Sequence, residues 1–223
     1  LSSLSLLSGG GAAMPDAVAA MLRERYGIVY QEAYGLTETA SFLHANPPQR
    51  CKRQCLGVPT QGVDSRIVDP VTLDELPPGE VGEVTIAHEG AAKVQLWRRP
   101  ALMAEAVRDG WYYSGDLGRF DSHGFLHIVG RNKDMIISGG FNVYAREVED
   151  ALDSHPAVLE SAVLGLPDAE WGEIVAAVVV LRQGSGADAQ ALQTHCSARI
   201  AGYKKPRRVV FVEALPRNLA GKV

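Results

Sequence analysis

The stretch "GRNKDMIISGG", residues 130 to 140, separates two parts of the chain that differ in character. It follows an apolar alternating run and carries three charged residues, Arg131, Lys133 and Asp134, before three apolar residues and the pair Gly139-Gly140. Alternation that stops at charged residues predicts the end of a strand. Paired glycines predict a tight turn, because glycine adopts positive φ without a steric penalty. The stretch therefore predicts a domain boundary.

The residues before this boundary predict a helix, a strand and then a β-rich region. "MPDAVAAMLRERYG", residues 14 to 27, has apolar residues at helical spacing between Pro15 and Gly27, which predicts an amphipathic helix. "IVY", residues 28 to 30, predicts a strand that ends before "YGLTE". The segments "RIVD", "VGEVTIA" and "DGWYYSGDLGRFDSHGFLHIVG" predict short strands around turns at Asp109-Gly110 and His123-Gly124.

The residues after the boundary alternate between helical and strand patterns. "VYAREVEDALDSHP" and "ADAQALQTHCSARIAGY" predict helices, and "VLESAVLGLP", "IVAAVVVL" and "RRVVFVEALP" predict strands. This α-β-β-α-β order predicts a compact α+β domain. The expected fold class is thus α/β and α+β, with a β-rich first domain over residues 1–132 and a small α+β domain over residues 133–223.

The composition is that of an ordinary globular protein, with 46% hydrophobic and 22% charged residues. A net charge of -4 argues against nucleic acid or anionic lipid as a partner. No apolar run approaches the ~18 residues of a membrane span, so no transmembrane segment is expected. Three cysteines are too few for a disulfide framework, which favours a cytoplasmic protein. Cys51 and Cys55, with His44 nearby, could be imagined as metal ligands. Structural zinc takes four ligands, however, so the favoured interpretation is that both cysteines are ordinary loop thiols.

Four motifs contain residue types suited to nucleotide chemistry, although each alone has an ordinary structural alternative. In "YGLTE", residues 34 to 38, an aromatic face could stack on a purine, a hydroxyl could bond phosphate and Glu38 could hold Mg²⁺; a plain turn is the alternative. In "YSGDL", Asp116 follows a predicted glycine turn at a strand end and could accept bonds from ribose hydroxyls, or could cap that turn. "SGGGA", residues 8 to 12, is no P-loop, but its glycines allow a ligand close to the backbone. Lys222, in "PRNLAGKV", could stabilise negative charge on phosphorus, or be a solvated charge.

Taken in order, "SGGGA", "YGLTE", "YSGDL", "GRNKDMIISGG" and "PRNLAGK" resemble the core motifs of the adenylate-forming (AMP-binding) superfamily over essentially the whole chain. The resemblance implies an enzyme that uses ATP and Mg²⁺ to convert a small-molecule carboxylic acid into an acyl-adenylate, from which a thiol, often that of coenzyme A, displaces AMP. It implies that residues 1–132 are the C-terminal part of the large AMP-binding domain and residues 133–223 the mobile C-terminal lid domain. A homodimer is left open.

The resemblance also implies a role for each motif residue. Tyr34 would flank the adenine, and Gly35 would belong to the same ATP/AMP-binding site. Thr37 and Glu38 would be catalytic residues at the phosphates, with Glu38 on Mg²⁺. Asp116, assisted by Arg131, would hold the ribose, and Lys222 would bridge the attacking carboxylate and the α-phosphate. The remaining implied positions are the acyl and adenylate site at Gly10, Gly11 and Ala12, the hinge at Lys133, and the thiol tunnel at Ser138, Gly139 and Gly140.

Within this superfamily, "KDMIISGGFNVYAREVE" and "VLGLPDAEWGEIVAAVVV" resemble the acyl- and aryl-CoA synthetases, the branch of the fatty-acid–CoA ligases of lipid metabolism. Ala145 departs from the Pro common in that branch, and Ser114 from the usual Thr; neither change is expected to matter. The alternatives are a ligase that loads an acyl group onto a carrier protein, and a non-catalytic fragment that binds a nucleotide or a partner.

The superfamily's Ser/Thr/Gly-rich phosphate loop has no counterpart in this sequence. The expectation is therefore a C-terminal portion of such an enzyme, inactive in adenylation by itself. "YKKPRR", residues 203 to 208, is interpreted as a solvated basic face, with a landing patch for coenzyme A phosphates or an acidic carrier protein as the alternative.

Overall fold

The computed structural model describes residues 3–4, 6–10, 14, 16–39, 41–87 and 98–218. The chain forms two compact units, Leu1–Ile128 and Val129–Val223. The boundary between these units lies slightly before the predicted domain boundary after residue 132, which stays a prediction. Mixed sheets with helices in both units agree with the predicted fold class.

The first unit begins with a β-α-β segment and continues as an antiparallel meander. Its elements are β1 (Leu6–Gly10), α1 (Asp16–Tyr26), β2 (Val29–Leu36), β3 (Ser41–Ala45), β4 (Val58–Pro59), β5 (Asp64–Val68), β6 (Gly82–Ala87), α2 (Pro100–Ala106), β7 (Val107–Arg108), β8 (Trp111–Phe120) and β9 (Leu126–Arg131). The predicted first helix is confirmed. The residue after it, Gly27, has φ of +68° and donates its amide to the Arg23 carbonyl, which terminates the helix.

Two sheets build the first unit. The first has the order β1-β2-β3-β4, with β1 parallel to β2 and the other pairs antiparallel. The second has the order β5-β6-β8-β7, with β9 beside β8. Buried residues of both sheets share one apolar core, to which β3 contributes Leu43 and β6 contributes Val84 and Ile86. Burial of such side chains is the main favourable contribution to folding.

Strand β2 is longer than the sequence predicts. The prediction ended this strand at Tyr30, where the short apolar run stops and the polar residues Gln31 and Glu32 follow. Both are buried at 7% exposure, and the strand continues through Leu36 as the partner of β3. "YGL" is therefore strand, and only Thr37–Thr39 form a turn of 3₁₀ helix.

The second unit confirms the predicted α-β-β-α-β order and adds a hairpin before it. Its elements are β10 (Ile136–Ser138), β11 (Phe141–Val143), α3 (Ala145–Asp153), β12 (Val158–Asp168), β13 (Gly172–Leu181), α4 (Ala189–Ser197) and β14 (Arg208–Phe211). The sheet order is β11-β10-β13-β12, and β14 runs parallel to β13. Helices α3 and α4 contribute Val148, Leu152 and Leu192 to one core with the sheet.

Candidate functional site

A short hydrogen bond inside the first unit joins two of the predicted site residues. The Tyr34 hydroxyl donates to Asp116 Oδ2 at 2.6 Å, although 82 residues separate them in the chain. Tyr34 is 8% exposed and Asp116 is 7% exposed. A buried carboxylate is costly unless it accepts hydrogen bonds, so this phenol helps to keep a charged group inside the protein.

Strand β2 carries Tyr34, and the ladder between β2 and β3 is irregular beside it. Tyr34 pairs with His44 and Gly35 pairs with Phe42, which leaves Leu43 without a partner in the register. This bulge turns Leu43 and His44 both into the interior, where each is 0% exposed. Gly35 itself is exposed on β2.

Asp116 lies in the middle of strand β8, which corrects the prediction of a glycine turn at a strand end. Gly115 has φ of +71°, and the register of β6 against β8 shifts between Glu83 and Thr85 at this point. The glycine therefore forms a β-bulge within a ten-residue strand. A local sequence pattern cannot distinguish the two, since both need positive φ at glycine.

Side-chain bonds hold this bulge in place. The Ser114 hydroxyl donates to the Val84 carbonyl at 2.7 Å, and the Asp116 amide donates to Ser114 Oγ at 3.1 Å. The Gly115 amide donates to Glu83 Oε1 at 2.9 Å. Hydrogen bonds thus hold Asp116 at both its backbone amide and its carboxylate.

Tyr112 and Glu38 extend the charged cluster around Asp116. Burial raises the pKa of the Tyr112 hydroxyl, and the nearby charges of Glu38 and Asp116 raise it further. Burial likewise raises the pKa of Tyr34, to which Asp116 adds through its charge and its hydrogen bond. Both phenols are protonated near neutral pH, and Tyr34 donates its proton to Asp116.

The candidate Mg²⁺ ligand Glu38 has the environment that such a role needs. It lies half-buried in the turn after β2, next to the exposed Thr37. Among the described residues no hydrogen bond or ion pair is formed by its carboxylate. Mg²⁺ commonly takes one or two protein carboxylates together with phosphate oxygens, so a single accessible carboxylate fits. The described residues contain no cluster of three or more His, Cys, Asp or Glu side chains suited to a metal ion.

His44 is a buried residue of this region to which the sequence assigned no role beyond the metal alternative. Its ring lies 5.8 Å from the Tyr34 ring and 6.1 Å from the Phe120 ring, measured between centroids. Neither ring nitrogen has a hydrogen-bond partner within the described part of the chain. Burial lowers the pKa of His44 to about 4, so the ring is neutral at physiological pH.

Gly10 ends β1 opposite Ala33, the neighbour of Tyr34. A side chain at Gly10 would place its Cβ 2.5 Å from the Ala33 carbonyl oxygen, so the close approach of the two strands requires glycine. Gly11, Ala12 and Lys222 lie outside the described residues.

The remaining predicted site residues begin on strand β9, which crosses the boundary between the units, and continue into the second unit. Arg131 is the exposed last residue of β9, and Lys133 is exposed in the 3₁₀ turn Asn132–Asp134. Gly139 and Gly140, with φ of +59° and +81°, connect β10 to β11 as a two-residue hairpin turn. Ser138 is buried beside this turn and pairs with Gly172.

The basic segment 203–208 is partly neutralised by its own unit. Lys204 Nζ lies 2.7 Å from both carboxylate oxygens of Glu147, and Arg207 stacks on the Trp171 ring at 3.9 Å. Lys204 therefore ties the C-terminal segment to helix α3. Lys205 and Arg208 are exposed.

Prediction from the sequence did not assign three residues to the cluster in the first unit: Glu83, Tyr112 and His44. Tyr112 stands four residues before Asp116, an even spacing that places both side chains on one face of a strand, so strand periodicity could have found it. Glu83 and His44 have only non-local partners, and no sequence pattern signals them. No helix in the described ranges is both long and apolar enough to cross a membrane.

Comparison with known proteins agrees with this arrangement of motifs. Residues 1–94 match the family model of the AMP-binding enzyme, and residues 147–222 match that of the AMP-binding enzyme C-terminal domain. A feruloyl-CoA synthase of Amycolatopsis sp is 40% identical over 100% of this chain and 45% of that protein. A long-chain-fatty-acid–CoA ligase of Bacillus subtilis (strain 168) is 38% identical over 100% of this chain and 40% of its own length. ATP-bound MatB from Rhodopseudomonas palustris shares the fold with a TM-score of 0.90 and 37% identity, over 98% of this chain and 43% of that one.

Other relatives differ in the names of their reactions. A fatty acid–acyl-carrier-protein ligase, ScoC of Streptomyces coeruleorubidus, is 39% identical over 92% of this chain and 40% of that protein. The amide bond synthetase McbA of Marinactinospora thermotolerans has a TM-score of 0.84 and 36% identity, over 97% of this chain and 44% of that one. The chain spans less than half the length of each of these proteins. The chain belongs to the family of AMP-binding, adenylate-forming enzymes, and its relatives in that family include acyl- and aryl-CoA ligases.

Proposed function

We propose that the protein is an ATP-dependent carboxylate–CoA ligase. A carboxylate oxygen of the acid attacks the α-phosphorus of ATP, pyrophosphate leaves, and the thiol of coenzyme A then displaces AMP from the acyl-adenylate to form a thioester. The observation that carries this proposal is the buried Tyr34–Asp116 hydrogen bond beside Tyr112 and Glu38. It gathers, within one compact unit, residues that the family resemblance assigns to adenine, ribose and Mg²⁺.

In the first half-reaction this cluster would bind and orient the nucleotide. Asp116 would accept hydrogen bonds from the ribose hydroxyls, which are strong because the acceptor is ionised and shielded from water. Thr37 would donate to a phosphate oxygen, and Glu38 would hold Mg²⁺. That ion would neutralise charge on the phosphates, and Lys222 would add a cation at the α-phosphate. Gly10, Gly11 and Ala12 would leave room for the acyl-adenylate along the backbone.

In the second half-reaction the second unit would supply the path for the thiol. The Gly139-Gly140 turn exposes backbone without side chains, which suits a narrow path for the pantetheine arm. Ser138 would line this path, Arg131 would assist at the ribose, and Lys133, exposed in a short turn after β9, would act as the hinge. The lid motion, the cytoplasmic location and a homodimer stay predictions.

A ligase that transfers the acyl group to a carrier protein is the second candidate, and the similarity to ScoC favours it. The two functions share the first half-reaction and differ only in the acceptor thiol. Exposed Lys205 and Arg208 would suit either the phosphates of coenzyme A or an acidic carrier protein.

The test uses the complete gene product, a panel of fatty and aryl acids, ATP and Mg²⁺. AMP release is measured with coenzyme A, with a phosphopantetheinylated carrier protein, and with neither. We expect coenzyme A to stimulate AMP release with stoichiometric thioester, and Lys222→Ala to abolish it. Stimulation by the carrier protein alone would establish the second candidate. An unchanged rate in Lys222→Ala would refute the proposed mechanism.

A further inference from the structure

Glu83 is a buried carboxylate in the first unit to which neither the motifs nor the family resemblance gives a role. It lies on β6 and is 8% exposed. Its Oε1 accepts a hydrogen bond from the Gly115 amide at 2.9 Å. A buried charge is unfavourable unless it is hydrogen-bonded, so this contact justifies the presence of an acidic residue in an apolar strand.

The Gly115 amide needs such an acceptor because of the bulge in β8. Glu83 pairs with Leu117 and Thr85 pairs with Tyr113, so Ser114, Gly115 and Asp116 together face a single residue of β6. Residues of a bulge lose their ladder partners, and an amide shielded from water without an acceptor is unfavourable. The Glu83 carboxylate replaces the missing ladder acceptor.

The conformation of this bulge determines where Asp116 points. Gly115, with φ of +71°, comes directly before Asp116, whose carboxylate accepts from Tyr34. A Cβ at Gly115 would meet no atom within 4 Å, so the backbone angle and not a lack of space explains the glycine. A carboxylate that fixes this amide therefore fixes the direction of the Asp116 side chain.

We propose that Glu83 is a positioning residue for nucleotide binding, which acts through the Gly115 amide to aim Asp116 at the ribose. It touches no reacting atom in this account. The inference rests on the proposed role of Asp116 as the ribose ligand, and the experiment below separates failure of that role from failure of the inference.

The experiment measures dissociation constants by calorimetry on the complete gene product, with ATP and with dideoxy-ATP, which lacks both ribose hydroxyls. The parent should bind ATP at least about tenfold more tightly than dideoxy-ATP, because hydrogen bonds to a charged acceptor are stronger than those between neutral groups. Asp116→Ala should lose this preference. Glu83→Asp should also lose most of it, because its shorter side chain cannot reach the Gly115 amide, while its affinity for dideoxy-ATP stays at the parental value.

The matched variant Glu83→Gln keeps the reach and the acceptor oxygen but removes the charge, so it should retain the preference for ATP. The double variant Glu83→Asp/Asp116→Ala should equal Asp116→Ala alone, because the two residues act on one contact. Glu80→Ala, three residues earlier and exposed, is the control for a lost carboxylate and should bind both nucleotides like the parent.

Each contrary result identifies the step that is wrong. If Asp116→Ala keeps the parental preference for ATP, the ribose role of Asp116 is refuted. If Asp116→Ala loses it but Glu83→Asp keeps it, the role of Glu83 is refuted while that of Asp116 stands. An equal loss of affinity for ATP and dideoxy-ATP in Glu83→Asp would mean that Glu83 only stabilises the fold, which also refutes the inference.

Discussion

At the residue scale, burial gives the candidate site its properties more than residue type does. A tyrosine and an aspartate in a sequence carry little information, and each has a plain structural explanation. In the structure the two share a 2.6 Å hydrogen bond inside the protein. The low dielectric strengthens that bond, but it also makes the loss of either partner expensive.

Tyr34→Phe tests that interdependence. The substitution keeps the ring and removes the hydroxyl that donates to Asp116 Oδ2. We expect the free energy of unfolding of the complete gene product to fall by about 1–3 kcal/mol, since a buried charged acceptor loses a donor. Urea denaturation followed by fluorescence measures this change. The exposed Tyr26→Phe is the control, and equal stability of the two variants would contradict the account.

His44 predicts a specific sensitivity to acid. Its pKa is about 4 in the folded protein against an ordinary value of 6.5, so the unfolded state binds more protons between these pH values. The part of the free energy of unfolding that is linked to His44 is fully present above pH ~6.5. It is lost as the pH falls toward 4, and the loss amounts to about 3 kcal/mol in total. We expect His44→Leu, which has no titrating group, to remove this part of the acid destabilisation.

The measurement for His44 is the urea midpoint of parent and variant at several pH values from neutral to about 4. His123→Leu, at an exposed turn, controls for the loss of a histidine. Near neutral pH the His44→Leu variant should be no less stable than the parent, because it removes two ring nitrogens that lack partners in the described structure. If the urea midpoints of the parent and of His44→Leu changed with pH in parallel, the lowered pKa of His44 would be ruled out.

At the scale of elements, the sequence predicts helices α1, α3 and α4 and the regular strands of the second unit, but it misses helix α2 and the irregular strands. Helix α1 and the α-β-β-α-β order follow from periodicity and from Gly and Pro positions, which are local signals. The bulges at Leu43 and Gly115 depend on the partner strand, which the sequence pattern does not show. The first bulge turns His44 toward Tyr34 and the second precedes Asp116, so the local geometry of the candidate site could not be predicted from the sequence.

The Gly139-Gly140 turn offers a test at this scale, because its two glycines are needed for different reasons. Both have positive φ, so alanine at either position strains the backbone by about 1 kcal/mol. At Gly139 the new Cβ would also lie 2.7 Å from the Trp171 ring, whereas at Gly140 it would meet nothing within 4 Å.

We therefore expect Gly139→Ala to lower the thermal midpoint clearly more than Gly140→Ala does. Differential scanning calorimetry of the complete gene product measures both. Gly140→Asn is the control and should be nearly neutral, because asparagine tolerates the left-handed region. Equal shifts for the two alanine variants would show that Trp171 does not restrict the turn.

At the scale of the whole molecule, the order of the motifs is more informative than any one motif. The sequence predicts the family correctly, as the matches over residues 1–94 and 147–222 show. It does not predict which carboxylic acid is the substrate or which group accepts the acyl chain, because relatives of similar sequence identity are named for different reactions. The predicted hinge at Lys133 belongs to this scale as well, since a hinge would act on whole units and not on the local turn.

Lys133→Pro tests the hinge. Proline fixes φ near -65° and removes an amide donor, so a pivot at this position would be confined to one conformation. We expect one half-reaction to slow by at least about tenfold more than the other, as measured by pyrophosphate exchange and by thioester formation from preformed acyl-adenylate. Lys133→Ala is the control and should affect both only weakly. An equal loss in both half-reactions would argue against a hinge here.

The most direct test of the central claim is ATP–pyrophosphate exchange by the complete gene product in the absence of any thiol. The proposed chemistry makes the acyl-adenylate before the acceptor is needed, so labelled pyrophosphate should enter ATP when ATP, Mg²⁺ and a suitable carboxylic acid are present. The exchange should disappear without the acid, and Asp116→Ala should raise the KM for ATP. Exchange that needs coenzyme A, or turnover that releases ADP and phosphate in place of AMP and pyrophosphate, would contradict the account.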